Sequence, residues 1–99
     1  MQFIVVTKLK PGVLENGLPD NFHQLIKEET AQTLQGYLGG TLRQVWLRAT
    51  GQGAIALIEA DSQESAEALI NAFPLFKAGM VEAEIIGLAP YTGFGAPQI

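Results

Sequence analysis

The sequence predicts an α+β fold of order β-α-β-β-α-β, with a four-stranded antiparallel sheet and both helices on one face. Three observations lead there. Four segments rich in β-branched and aromatic residues are bounded by Gly, Pro and Asp punctuation. Two further segments repeat their apolar residues at helical spacing. Each of those two is closed by a stop, Gly39-Gly40 for the first and Pro74 for the second.

Residues 2–10 (QFIVVTKLK) open the chain as a strand that Pro11-Gly12 ends. Pro19 and Asp20 then offer a helix start, with Asp20 as N-cap, and an apolar stripe continues to about Leu38. Residues 41–50 (TLRQVWLRAT) and 53–60 (GAIALIEA) form two strands separated by Gly51-Gln52, a hairpin signal. Asp61 followed three residues later by Glu64 fits a capping box, with Ser62 as the alternative cap. The second helix is expected over 62–73, presenting Ala66, Leu69, Ile70 and Phe73 inward. Residues 81–88 complete the sheet, and Glu82 and Glu84 read as the outward face of an edge strand, where charge discourages unwanted pairing. This is the ferredoxin-like arrangement, with 1–99 as one domain and 89–99 as a tail. Tyr91 and Phe94 are expected to latch that tail onto a partner or over a cavity mouth.

A lone sheet of this type should be apolar toward its helices and polar toward water. Here Phe3, Val5 and Leu9 share one face of the first strand while Ile4 and Val6 share the other; Ile55 and Leu57 likewise oppose Ala54, Ala56 and Ile58. Both faces therefore read as covered, and a second copy of the same sheet is the economical cover for the face without helices. The composition agrees: 47% of residues are hydrophobic and only 16% charged, below the usual quarter. A homodimer, or a higher homo-oligomer built through the sheet face, is the expected partner.

Ten acidic residues against six basic ones leave a net charge of −4, and Lys8 with Lys10 is the only basic pair, so nucleic acid is not expected as a partner. There is no cysteine and one histidine, His23, which removes thiolate chemistry and leaves little for a metal. No cofactor is expected. Gly93 and Gly95 make no phosphate loop, since no helix start follows them. No signal-like segment or membrane-length apolar run is present, which makes the cytoplasm the expected compartment.

One residue breaks the pattern of its own helix. With Phe22 at zero and about 100° per residue, Leu25 falls near −60°, Glu29 near −20°, Thr33 near +20° and Ile26 near +40°. Glu29 thus points from the middle of the stripe that must pack inward. A buried, unpaired carboxylate costs several kcal/mol, so Glu29 is paired with a cation, protonated through a raised pKa, or facing a polar cavity. Arg43, Val45 and Leu47 alternate with Leu42, Gln44, Trp46 and Arg48, and alternation alone does not say which set faces the helices. Arg43 from one set or Arg48 from the other is the candidate counter-ion. Trp46 lines either a ligand pocket or a packed interface. His23 lies near +100°, at the edge of the stripe, and reads as a solvated helix residue.

Together these residues resemble the muconolactone isomerase-like group of the dimeric α+β barrel superfamily. The nearest stretch is 73–90 (FPLFKAGMVEAEIIGLAP), and a second runs from Glu29 through Gly40, Arg43 and Trp46 to Thr50-Gly51. The isomerases carry an Arg-His-Leu-Trp segment where this chain has Arg43-Gln44-Val45-Trp46, and Gln44 cannot shuttle a proton. Their histidine-containing end is replaced here by Pro90-Tyr91-Thr92-Gly93-Phe94. The resemblance implies a cofactor-independent isomerase or lyase acting on a small, oxygenated, lactone-like substrate. In it Glu29 is the general base, Arg43 anchors a substrate carboxylate or enolate, Gln44 orients the substrate and Trp46 walls the pocket. The alternatives are a non-catalytic small-molecule-binding or accessory protein of the same fold, and a structural ion pair with no pocket.

Overall fold

The computed structural model describes residues 1–94. Its elements follow the expected order with one addition: β1 (Gln2–Leu9), α1 (Phe22–Gly39), β2 (Leu42–Leu47), β3 (Ala54–Glu59), α2 (Gln63–Asn71), α3 (Pro74–Lys77) and β4 (Val81–Gly87). The strands form one antiparallel sheet in the order β2-β3-β1-β4, the ferredoxin-like arrangement that the sequence predicts. Among the described residues no helix is long and apolar enough to cross a membrane.

Register fixes the two faces. Phe3 stands opposite Ile58, and Val5 opposite both Ala56 and Ile85. These residues join Leu42, Ala66 and Ile70 in the core between sheet and helices. The opposite face carries Ile4, Val6, Ile55, Leu57 and Ile86 in adjoining register positions. At the β4 edge Glu82 meets Lys8 at 3.3 Å, and Glu84 is exposed, as the outward reading of that strand expects.

Strand β2 departs from simple alternation. Leu42 pairs with Ile58 and Gln44 with Leu57, so two consecutive residues of β3 face a stretch of β2 that contains the extra residue Arg43. This is a β-bulge, and it reverses the parity of everything after it. Leu42 therefore shares the helix side with Val45 and Leu47, whereas Gln44 and Trp46 take positions on the outer face.

The helix ends also show where local rules hold. Asn21, not Asp20, is the N-cap of α1, and it makes no side-chain capping bond. At the other end Gly40 adopts φ 84°, a left-handed conformation that suits glycine, and its amide bonds back to the Tyr37 carbonyl. Ser62 caps α2 by accepting the Ser65 amide at 3.0 Å, so the alternative cap is used rather than the Asp61–Glu64 box. Ala66, Ile70 and Phe73 are buried as the helical spacing expects. Pro74 stops α2 but at once starts α3 as its first residue, where its fixed φ and missing N–H cost nothing. In the tail, Tyr91 and Phe94 pack edge to face on each other, with ring centroids 4.8 Å apart. The rest of the expected latch, residues 95–99, lies outside the described residues.

Candidate active site

A cavity of about 460 Å³ lies between α1 and the inner face of the sheet, within the range that small ligands occupy. Val5, Ala56 and Ile70 contribute apolar lining, and Phe73, Leu75 and Phe76 add more from the segment after α2. Among the described residues, Glu29 is the one titratable side chain in this lining. The helical wheel placed Glu29 in the centre of the inward stripe, and that is where it stands, half-buried.

One carboxylate oxygen of Glu29, Oε1, accepts the backbone N–H of Leu75 at 3.0 Å. Leu75 is the second residue of α3, so the short helix that Pro74 initiates aims this amide at the acid. Desolvation raises the Glu29 pKa above the ordinary carboxylate value, and the Leu75 hydrogen bond lowers it by less. One turn on, the Thr33 hydroxyl donates to the Glu29 carbonyl at 2.8 Å, a bond internal to the helix.

Of the other expected site residues, Trp46 borders the cavity at its β2 edge from a register position on the outer face, opposite Ile55, and Arg43 and Gln44 stay away from it. The expected pairing of Glu29 with an arginine is not formed. Arg43, at the bulge, meets Glu59 at 3.7 Å, and Glu59 follows Ile55 and Leu57 on the outer face. Gln44 sits beside Leu57 on that same face. Arg48, the competing cation, donates to the Thr7 carbonyl at 3.2 Å. The physical reason is the bulge, which places the consecutive residues Arg43 and Gln44 on the same outer face. His23 is exposed and packs against Phe22, ring centroids 6.2 Å apart.

The Leu75 amide, Thr30 and Thr33 were not anticipated as site residues. Pro74 after Phe73 was the available signal, because proline favours the first turn of a helix as well as the end of one. Among the described residues no group of three or more His, Cys, Asp or Glu is placed to hold a metal. Chemically, the arrangement offers one raised-pKa carboxylate, tethered through one oxygen and open at the other, against apolar walls. That suits moving a proton to and from a bound molecule.

No family model and no curated protein matches this sequence. Among solved structures, muconolactone isomerase superposes with a TM-score of 0.77 and 24% identity, over 94% of this chain and 93% of that one. The 5-chloro-2-hydroxyhydroquinone dehydrochlorinase from Burkholderia phenoliruptrix, in complex with 2,5-dihydroxybenzoquinone, superposes with a TM-score of 0.66 and 18% identity, over 93% of this chain and 97% of that one. At these identities the likeness is one of fold, and it extends over nearly the whole of all three chains.

Proposed function

We propose that this chain, which shares the fold of muconolactone isomerase, is a cytoplasmic, cofactor-independent isomerase or lyase for a small oxygenated, lactone-like molecule, with Glu29 as general base. The supporting observation is the half-buried Glu29 carboxylate, raised in pKa and held through one oxygen by Leu75, in a cavity of ligand size. Its ionised form takes the proton α to a carbonyl, the electron pair passes into the enolate, and the Glu29 acid, exchanging with solvent, returns a proton at the γ carbon. The double bond moves into conjugation with no oxidant or reductant. A raised pKa makes the carboxylate a stronger base, better matched to taking a proton from carbon. Trp46 borders the site at the β2 edge. Arg43 and Gln44, on the outer face, take no part in it within one chain.

A neutral β,γ-unsaturated butenolide, 5-methyl-3H-furan-2-one, is the test compound. In D₂O, proton NMR is expected to show the α,β-unsaturated isomer forming and deuterium entering at the α and γ carbons, faster than in buffer. A rate equal to buffer across a panel of such lactones would sink the enzyme reading. The second reading, a binding protein without turnover, is favoured by the absence of a second titratable side chain beside Glu29 among the described residues of the lining. It expects the lactone to bind with no exchange at any pH.

Self-association belongs to the same proposal. Ile4, Val6, Ile55, Leu57 and Ile86 form a continuous apolar field on the outer face, and a second copy would bury it isologously. Leu57→Glu places like charges against each other across a two-fold axis. Sedimentation velocity is expected to show an oligomer for the wild type and a monomer for the variant. A monomeric wild type at micromolar concentration would overturn this.

A further inference from the structure

The cavity also carries information about the charge of what it accepts. None of the six Lys and Arg residues lines it. Every element packed near Glu29 sends its charges elsewhere. On α1, Lys27 and Glu28 are exposed, and on α3 so is Lys77. On β1, Lys8 pairs with Glu82; on β2, Arg43 pairs with Glu59 of β3, and Arg48, just past the strand, holds the Thr7 carbonyl. The polar groups left in the lining are neutral. Thr7 is occupied twice by Ala54, accepting its amide at 2.9 Å and donating to its carbonyl at 3.3 Å. The Thr33 hydroxyl is spent on the helix carbonyl. Among the described residues of the lining, the uncommitted side-chain donor on the inner side is the Thr30 hydroxyl. Glu29 keeps one carboxylate oxygen, Oε2, without a partner among the described residues.

We infer that this site, read as above as the ligand-binding site, selects uncharged ligands bearing a hydroxyl donor, such as a phenol or enol, and excludes anions. A hydroxyl has one proton to place, and Glu29 Oε2 is one acceptor. An anion entering the cavity meets a carboxylate with no cation to offset it. An ammonium brings three donors to a site with one strong acceptor, leaving the rest unsatisfied against apolar walls.

Four toluenes of matched shape separate these cases: p-cresol, its methyl ether, p-toluenesulfonate and 4-methylbenzylammonium, titrated by calorimetry at neutral pH into the wild type and into Glu29→Gln. The expected order on the wild type is p-cresol first, the ether about threefold or more weaker, and both ions at least about tenfold weaker. In Glu29→Gln the sulfonate is expected to recover to within about threefold of p-cresol. On the wild type alone, sulfonate affinity should rise as pH falls and Glu29 takes up its proton, while p-cresol stays level, so the idea stands or falls even if the variant does not fold. Sulfonate binding equal to p-cresol, or the ammonium binding best, overturns the selectivity and leaves the site intact. Binding of none of the four overturns both the selectivity and the site.

Discussion

Glu29→Gln is expected to lower lactone isomerisation by about 10²- to 10⁴-fold, the usual contribution of a positioned general base, and to raise the melting temperature at neutral pH. The two effects share one cause. Burial lifts the Glu29 pKa in the folded chain above its value in the unfolded chain, with the Leu75 bond offsetting part of the rise. The folded state then holds this proton to higher pH than the unfolded state does. Stability owed to the group is full below the unfolded pKa and is lost as pH rises through the folded one. As pH rises through the folded value, the wild type comes to carry a charge where solvation is poor. Glutamine keeps the carbonyl oxygen that receives the Leu75 amide and removes the charge. Melting curves collected against pH should coincide at acidic pH and separate in favour of the variant toward neutrality. Activity should climb over the same window, because only ionised Glu29 takes a proton. A variant that melts lower than wild type at neutral pH would show that the carboxylate is structural.

Gly53→Ala is expected to destabilise the protein by about 2–6 kcal/mol, from backbone strain together with overpacking. Gly53 has φ 147°, a conformation that L side chains rarely adopt, and a Cβ there would run into the backbone carbonyl of Thr7. Backbone cannot swing aside as a long side chain can. The same Thr7 carbonyl accepts the Arg48 guanidinium, and the Thr7 hydroxyl accepts the Ala54 amide at 2.9 Å, so the hairpin end is tied to β1 from two directions. For a domain of this size the loss corresponds to a fall of about 10 °C or more in melting temperature. Gly51→Ala is the control: φ is 79° there, but no atom lies within 4 Å of the added Cβ, so only the strain is incurred. Urea unfolding should rank wild type above Gly51→Ala and Gly51→Ala well above Gly53→Ala. Equal midpoints for the two variants would show that the hairpin end can yield.

The fold was legible because each strand and each long helix announces itself through its own neighbours. Glu29 was legible for the same reason: its direction depends only on helical geometry around Phe22, Leu25 and Thr33. What escaped depends on residues far apart or on a single insertion. The Leu75 amide that holds Glu29 comes from 46 positions away. The bulge at Arg43 leaves no mark in a run of alternating residues, yet it puts Arg43 and Gln44 on the same outer face, where Arg43 meets Glu59. Helix α3 is four residues long, too short for any periodicity to declare it.

Helix α1 carries Glu29 and yet contributes no fully buried residue; the cavity takes the place of the packing that would otherwise anchor it. An element with so little buried contact opens at a lower free energy than the central strands. Backbone amides of α1 should therefore exchange with deuterium well before those of β1 and β3, which carry the fully buried Phe3 and Ile58. A ligand that fills the space beneath the helix must slow that exchange in α1 first, through mass action on the closed form. Amide exchange, measured with and without p-cresol, then reports occupancy of the cavity on the helix that bears the base, before any product is known.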